Sequence, residues 1–171
     1  MSGILPWFLP GLAVTTALAL AGAGHVARRL RTRRWIAFLL LVSVGAILAA
    51  TIPPDSDGFS GHPPPPGRCD FGRIGPAPMS HYLHVGDTSL NVLLFVPLGL
   101  VVGLLGRSPA AVRVLVGALA LPVAIEIFQS LAPILGRGCQ SRDVVDNLLG
   151  LGVGLTLGVL LSVLRAGRTS T

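Results

Sequence analysis

Five long apolar blocks are the feature of this sequence that most constrains its fold. They cover residues 4–26, 35–52, 88–105, 110–132 and 144–164. Each is close to the roughly 20 residues that an α-helix needs to cross the hydrocarbon core of a bilayer. The chain of 171 residues is 51% hydrophobic and only 12% charged, about half the charged fraction of an ordinary soluble domain. Because lipid cannot hydrogen-bond an open backbone, we predict an all-α protein, a polytopic membrane helix bundle with about five transmembrane helices.

Residues that cap or stop helices mark the ends of these blocks. They are Pro53 and Pro54 after the second block, Asp87, Thr88 and Ser89 before the third, Ser108 and Pro109 before the fourth, and Ser141 and Arg142 before the fifth. We therefore divide the chain into two N-terminal transmembrane helices at 1–52, a proline-rich loop at 53–87, a three-helix core at 88–165 and a short tail at 166–171.

The distribution of arginines predicts the orientation of the chain. With alternating spans, nine arginines fall on one side of the membrane: Arg28, Arg29, Arg31, Arg33, Arg34, Arg107, Arg113, Arg165 and Arg168. The positive-inside rule makes that side cytoplasmic, so we predict the N-terminus outside and the C-terminus inside. These arginines explain the net charge of +6, and they do not indicate a nucleic-acid partner, because no platform of several stacking aromatics accompanies them. The first block lacks a preceding basic region, so we interpret it as a retained helix rather than a cleaved signal peptide.

Both cysteines fall on the predicted outer side, Cys69 in the long loop and Cys139 just before the fifth block. An oxidising compartment lets them pair, so we predict a Cys69–Cys139 disulfide, with two free thiols as the alternative. The run PPDSDGFSGHPPPPGR favours polyproline II structure, and we interpret the loop as a cap over the helix ends. The spacing of its histidines completes no metal-ligand set, so we predict no metal site; they are His62, His81 and His84.

Polar residues are concentrated at the predicted outer ends of the last three spans. They are Asp87 and Asn91 in the third, Glu126 and Gln129 in the fourth, and Asp143, Asp146 and Asn147 in the fifth. Spacings of three and four residues place the members of each set on one helix face. Ionisable side chains are costly in hydrocarbon and usually face the bundle interior or a wet cavity. We therefore predict one outer polar pocket, with Arg137 and Arg142 as counter-charges and with kinks at Pro97 and Pro122 that widen it.

Two interpretations of these side chains stay open. They can form a ligand or catalytic pocket, or they can hold the helices together by hydrogen bonds, as intramembrane amides and acids often do. Glycines at four-residue steps predict close helix contacts, either within the bundle or between the subunits of a homo-oligomer. These glycines are Gly99 and Gly103 in the third span and Gly150, Gly154 and Gly158 in the fifth.

The segments DTSLNVLLFVPLGLVVGLL and EIFQSLAPILGRGCQSRDVVDNLLGLGVG resemble the VanZ-like family of small bacterial membrane proteins. The matching features are Asp87, Asn91 and the FVPLG run, then Glu126 and Gln129 as E-x-x-Q, an arginine before the last helix, and Asp143, Asp146, Asn147 and Gly150. The resemblance covers about residues 87–158 and implies a multi-pass protein of the bacterial cell membrane. The founding member is associated with low-level teicoplanin resistance, so the resemblance also implies glycopeptide resistance as one role.

Three functions follow as hypotheses. The first is a binding module whose outer-leaflet pocket holds a lipid, a lipid-linked wall precursor or a lipoglycopeptide. The second is an intramembrane enzyme that modifies an envelope lipid, with Glu126 or Asp146 as general base. The third is a small transporter or assembly partner. We expect no cofactor. The expected partners are membrane lipids or lipid-linked envelope molecules. Eight residues are predicted to bind the ligand: Asp87, Asn91, Glu126, Gln129, Arg142, Asp143, Asp146 and Asn147.

Overall fold

Five long helices form most of the molecule. A computed structural model of the chain describes residues 7–54, 69–72, 74–84 and 86–168. The long helices are α1 (Phe8–Leu30), α2 (Arg34–Thr51), α4 (Asp87–Leu104), α5 (Pro109–Leu131) and α6 (Ser141–Arg168), and a short helix, α3 (Met79–Leu83), precedes α4. Each of the five is long and apolar enough to cross a membrane. The prediction of an all-α membrane helix bundle with five spans is confirmed.

The predicted blocks match three helices closely and two less well. Helices α2, α4 and α5 lie within one residue of the prediction at both ends, whereas α1 continues to Leu30 and α6 begins at Ser141 and continues to Arg168. The apolar pattern stops at the first charged residue, but arginine is a good helix former. Basic residues in the last turn of α1 and Asp143 in the first turn of α6 also suit the helix dipole.

The helix caps follow the predicted chemistry with one correction. Ser108 caps α5 as predicted, because its hydroxyl accepts a hydrogen bond from the Ala111 N–H at 3.0 Å. In α4 the capping position belongs to Gly86 rather than to Asp87, which is already the first helical residue. The hydroxyl of Ser89 reaches back and accepts the Gly86 N–H at 3.0 Å. At the end of α1, Arg31 adopts a left-handed φ of 52°, which terminates the helix.

The bundle has two chemically distinct ends. We call the end that contains Cys69 and Cys139 the disulfide end; there α2 and α5 finish and α1, α4 and α6 begin. We call the other the arginine end, where α1 turns into α2 through residues 31–33 and α4 turns into α5 through residues 105–108. The acidic residues of the described ranges all belong to the disulfide end: Asp70, Asp87, Glu126, Asp143 and Asp146.

Helix α4 lies directly against α6, with backbone touching backbone. A Cβ atom added at Gly150, Gly154 or Gly158 would overlap the α4 carbonyls of Val92, Val96 and Leu100 in turn. Added at Gly99 or Gly103, it would overlap the α6 carbonyls of Leu151 and Leu155. The glycine faces predicted from the four-residue steps therefore meet each other within one chain. This packing covers the surface through which the sequence allowed a homo-oligomer contact.

A second close contact pairs α1 with α2. The side of α1 that faces α2 is an alanine stripe, with Ala19, Ala23 and Ala27 buried at four-residue steps. Beyond it, Gly45 of α2 lies against Thr15, and Gly11 of α1 lies against Ala49. The α1–α2 hairpin then joins the rest of the bundle mainly through α2 and α4. Small residues let both helix pairs approach closely, which maximises van der Waals contact in a solvent that gives no hydrophobic driving force.

The interior is a single apolar cluster in the middle of the bundle. Its best-buried large side chains are Ile47 of α2, Phe95 and Leu98 of α4 and Leu151 of α6. Helices α4 and α5 continue through Pro97 and Pro122, the two prolines predicted to kink them. Large aliphatic side chains on the outside of α1, α5 and α6 are widely exposed, as expected where the solvent is lipid.

The connections at the disulfide end are tied together covalently. Cys69 and Cys139 form the predicted disulfide. They also pair in parallel as the first residues of two-residue strands, β1 (Cys69–Asp70) and β2 (Cys139–Gln140). The bond joins segments 70 residues apart in sequence and fixes the chain entering α6 beside the loop before α3. The proline run within residues 55–68 and His62 lie outside the described residues.

Glycine 154 provides a test of the α4–α6 packing. We expect Gly154→Ala to lower the stability of the protein by about 1–3 kcal/mol, because the new methyl group overlaps the Val96 carbonyl. Gly152→Ala on the same helix is the matched control, since nothing lies within 4 Å of a Cβ atom there. The control should be neutral or gain up to about 1 kcal/mol of helix propensity. Thermal unfolding in detergent measures both, and equal stability of the two variants would contradict the packing described.

Candidate functional site

A cavity of about 630 Å³ opens at the disulfide end, where all five long helices contribute to its wall. Five of the eight predicted ligand-binding residues line it: Asp87, Asn91, Gln129, Arg142 and Asp143. The wall also includes Gly136, Arg137, Gly138 and Gln140 from the connection between α5 and α6. Of these, sequence reasoning singled out Arg137 as a counter-charge and gave no role to Gln140.

Two long side chains from the α5–α6 region hold the end of α2 in place. The amide Nε2 of buried Gln129 donates to the Thr51 carbonyl at 3.1 Å, and Nε of Arg137 donates to the Pro53 carbonyl at 3.1 Å. The last carbonyls of a helix have no partner within the helix, and a buried end requires one. Gln129 therefore serves as cavity wall and as a C-terminal cap for α2, and Arg137 serves as cavity wall and holds Pro53, which follows the helix end.

Charged groups of both signs surround the mouth of the cavity. Nε of Arg142 lies 3.8 Å from Oδ1 of Asp143, and the Arg142 side chain is 45% exposed, so the ion pair is loose and screened. Arg142 also lines two smaller cavities beside α3, where His81 is a neighbour. The predicted counter-charge role of Arg142 thus extends to the junction of three cavities.

The cavity also has apolar lining residues. They are Phe8 of α1, Ala50 of α2 and Leu90, Leu93 and Leu94 of α4. Leu93 is 63% exposed although it lines the cavity. An exposed leucine on a membrane-spanning helix contacts lipid, so Leu93 belongs both to the cavity wall and to the lipid-facing surface.

Glu126 is buried and does not line this cavity. Only 6% of the residue is exposed, and its Oε2 accepts a hydrogen bond from the Gln140 N–H at 2.7 Å. This bond joins α5 to strand β2, next to the disulfide. A short hydrogen bond from a backbone N–H to a carboxylate is among the stronger neutral-to-charged contacts in proteins. Glu126 therefore fixes the segment that places Gln140 in the cavity wall.

Asp146 is fully buried and also lies away from the cavity wall. The Tyr82 hydroxyl donates to Asp146 Oδ1 at 3.0 Å and accepts the Ala77 N–H at 2.8 Å. Tyr82 thereby connects α3 and the loop before it to the first turns of α6. The sequence analysis did not single out Tyr82, although it is the one tyrosine of the chain. Tyr82 and Asp146 are 64 residues apart and lie in different elements, so no spacing in the sequence indicates that they are bonded.

Two buried acceptors in this region lack partners among the described residues. They are Oδ1 of Asn147, a residue only 4% exposed, and Oε1 of Gln140. A buried polar atom without a hydrogen bond costs about 1–3 kcal/mol, so it is found where a ligand or water supplies the missing donor. Gln140 lines the cavity and Asn147 does not.

The predicted single pocket is therefore resolved into two layers. The cavity layer holds Asp87, Asn91, Gln129, Arg142 and Asp143, and the buried layer holds Glu126, Asp146 and Asn147. Within the described ranges, no group of three or more His, Cys, Asp or Glu side chains is arranged to hold a metal ion. His84, one of the two described loop histidines, uses Nδ1 to bond the Ser80 carbonyl at 2.7 Å.

Comparison with known proteins identifies the family. Neither the curated proteins nor the solved structures contain a match to the chain. The family model described as VanZ/LLP1 matches residues 68–162, more than half of the chain, from just before β1 into the later turns of α6. The matched region contains the glycine-packed pair α4–α6, the disulfide and both polar layers. The chain belongs to the VanZ-like family, VanZ/LLP1, and is a membrane protein with five spanning helices.

Proposed function

We propose that this protein is a binding module of the bacterial cell envelope whose cavity holds an amphiphile. The amphiphile is a lipid, a lipid-linked wall precursor or a lipoglycopeptide, with its polar head in the cavity at the disulfide end. Capture of a lipoglycopeptide or a wall precursor is the route by which such a protein contributes to glycopeptide resistance. The observation that carries the proposal is the mixed lining of the cavity, which combines charged and amide groups with leucines, one of which, Leu93, is widely exposed on a membrane-spanning helix.

The apolar wall supports the choice of an amphiphile. Leu90 and Leu93 are exposed on α4 and line the cavity together with Phe8 and Ala50. An acyl or isoprenoid chain attached to a head in the cavity can leave past the exposed Leu93 without crossing water. A soluble ligand would leave this apolar opening without a function.

The hydrogen bonds of the two buried acids support binding over catalysis. Glu126 accepts the Gln140 N–H, and Asp146 accepts the Tyr82 hydroxyl, and neither residue lines the cavity. A general base must reach the proton that it removes, directly or through one water. Both carboxylates instead act on segments of this chain, and the structural alternative left open by the sequence suits them better.

The proposed orientation places the disulfide end outside the cell and the arginine end in the cytoplasm. The disulfide supports it, because such bonds persist in oxidising compartments, and the arginines support it through the positive-inside rule. We expect a green fluorescent protein fused to the C-terminus to fluoresce and an alkaline phosphatase fused there to stay inactive. Phosphatase activity in intact cells, where only an exported enzyme folds, would place the C-terminus outside and overturn the orientation.

Leucine 93 tests the lipid-facing opening. We expect Leu93→Trp to reduce retention of bound amphiphile about tenfold or more, because the indole fills the gap and steric overlap costs about 1–3 kcal/mol. The probes are a bacterial polar lipid extract and teicoplanin, and native mass spectrometry of the detergent-purified chain counts the bound molecules. Leu119→Trp on α5 is the control, because Leu119 is also an exposed leucine on a spanning helix but does not line the cavity. Unchanged retention in both variants would sink the proposed binding site.

Glutamate 126 separates binding from catalysis. We expect Glu126→Gln to retain amphiphile as the native chain does, because an amide oxygen can still accept the Gln140 N–H. Glu126→Ala should weaken retention, since the buried N–H loses its acceptor at a cost of about 1–3 kcal/mol and Gln140 is released. The same protein is incubated with radiolabelled envelope lipids. A product that the native chain forms and Glu126→Gln does not would favour the enzyme instead.

A further inference from the structure

The charged groups in the cavity wall narrow the class of ligand further than the general amphiphile proposed above. This inference rests on that proposed function. Two guanidinium groups, Arg137 and Arg142, and two carboxylates, Asp87 and Asp143, line the same 630 Å³ space. A cavity for an anionic head alone has no use for carboxylates in its wall. A cavity for a cationic head alone has no use for two arginines. The balanced set matches a head that carries one charge of each sign.

The two arginines are the lining residues that suit an anionic group. Arg137 uses Nε to hold the Pro53 carbonyl and makes no ion pair with any described residue, so its terminal nitrogens keep their donor capacity. Arg142 is only loosely paired, at 3.8 Å from Asp143. Guanidinium groups bind phosphate through several N–H donors at once, and two of them line this one cavity.

Two other groups in the cavity wall favour a hydrogen-bond donor on the ligand. Oε1 of Gln140 is buried without a partner among the described residues, and Gln140 lines the cavity. Asp87 lines it as well, and no described residue forms an ion pair with it. An unsatisfied amide oxygen and a carboxylate in one wall favour a group that carries N–H donors and positive charge. A primary ammonium has both, whereas a quaternary ammonium has charge but no donor.

We propose that the cavity recognises a lipid whose head combines a phosphate ester with a primary ammonium. Arg142 and Arg137 bind the phosphate, and Asp87 and Gln140 bind the ammonium. The lipid chain leaves past Leu93. Phosphatidylethanolamine carries this head, and a lipid-linked precursor with an amino group on its peptide carries the same two elements farther apart.

Three single-chain lipids with one acyl chain and different heads test the inference. They are lysophosphatidylethanolamine, lysophosphatidylcholine, which lacks the N–H donors, and lysophosphatidylglycerol, which lacks the positive charge. Each competes for the full-length, detergent-purified chain in native mass spectrometry. We expect the ethanolamine lipid to be retained about tenfold or more over the other two, which is the difference expected from hydrogen bonds to charged groups.

Variants assign the two halves of the head. Asp87→Asn should reduce the preference for ethanolamine over choline, while Arg142→Gln should weaken all three lipids and keep that preference. The controls are Asp70→Asn, an exposed carboxylate outside this cavity, and Arg113→Gln at the arginine end; neither should change retention. Soluble glycerophosphoethanolamine, which has the head without the chain, is the competitor that isolates head recognition.

The outcomes separate this inference from the function on which it rests. Equal retention of the three lipids, with loss of all three in Leu93→Trp, would overturn the head specificity and keep the amphiphile site. Retention of a lipid-linked wall precursor carrying an amine, but not of the ethanolamine lipid, would support the paired chemistry with the wider spacing. No retention of any lipid by the native chain would overturn both proposals.

Discussion

The backbone-to-backbone contact of α4 with α6 is the constraint on which the rest of the structure depends. In lipid there is no hydrophobic driving force for helices to associate. The attraction comes instead from van der Waals contacts and from Cα–H to carbonyl contacts, both of which require a close approach. Five glycines remove the side chains that would hold the two helices apart. Because α4 and α6 both begin at the disulfide end, their close approach also brings Asp87 and Asn91 beside Arg142 and Asp143. The same packing that stabilises the pair therefore builds the polar wall of the cavity.

Much of the fold could be predicted from the sequence because a bilayer restricts the options so strongly. Apolar length fixed the spans to within one residue for α2, α4 and α5, and the compartment argument predicted the Cys69–Cys139 bond. The extents of α1 and α6 could not be predicted this way, since an apolar pattern says nothing about charged residues that continue a helix into the headgroup region. The partner of the glycine faces was open for a related reason: four-residue steps show that a helix packs closely, but not against which helix.

The sequence singles out the polar residues of the candidate site but not their arrangement. Spacing predicts that Asp143, Asp146 and Asn147 share one side of α6, yet it cannot tell how deeply each is covered. That depth depends on α3 and β2, two short elements with no periodic pattern, whose residues Tyr82 and Gln140 bond the buried acids. A carboxylate that accepts a main-chain N–H and one that contacts a ligand look alike in sequence. Only the position of the donor separates the two roles.

The cavity also includes residues that the family match leaves out, and this bears on specificity. The match to residues 68–162 covers the polar wall, whereas Phe8, Ala50 and Thr51 come from the α1–α2 hairpin before it. That hairpin joins the bundle mainly through α2 and α4, and Gln129 and Arg137 bind its end by bonding backbone carbonyls rather than side chains. Main-chain bonds of this kind tolerate changes in the side chains of α2. Changes in the hairpin can thus alter the lining that Phe8 and Ala50 contribute while the polar groups within residues 68–162 stay in place. If the proposed function holds, such changes adjust the fit of the ligand without changing the groups that bind its head.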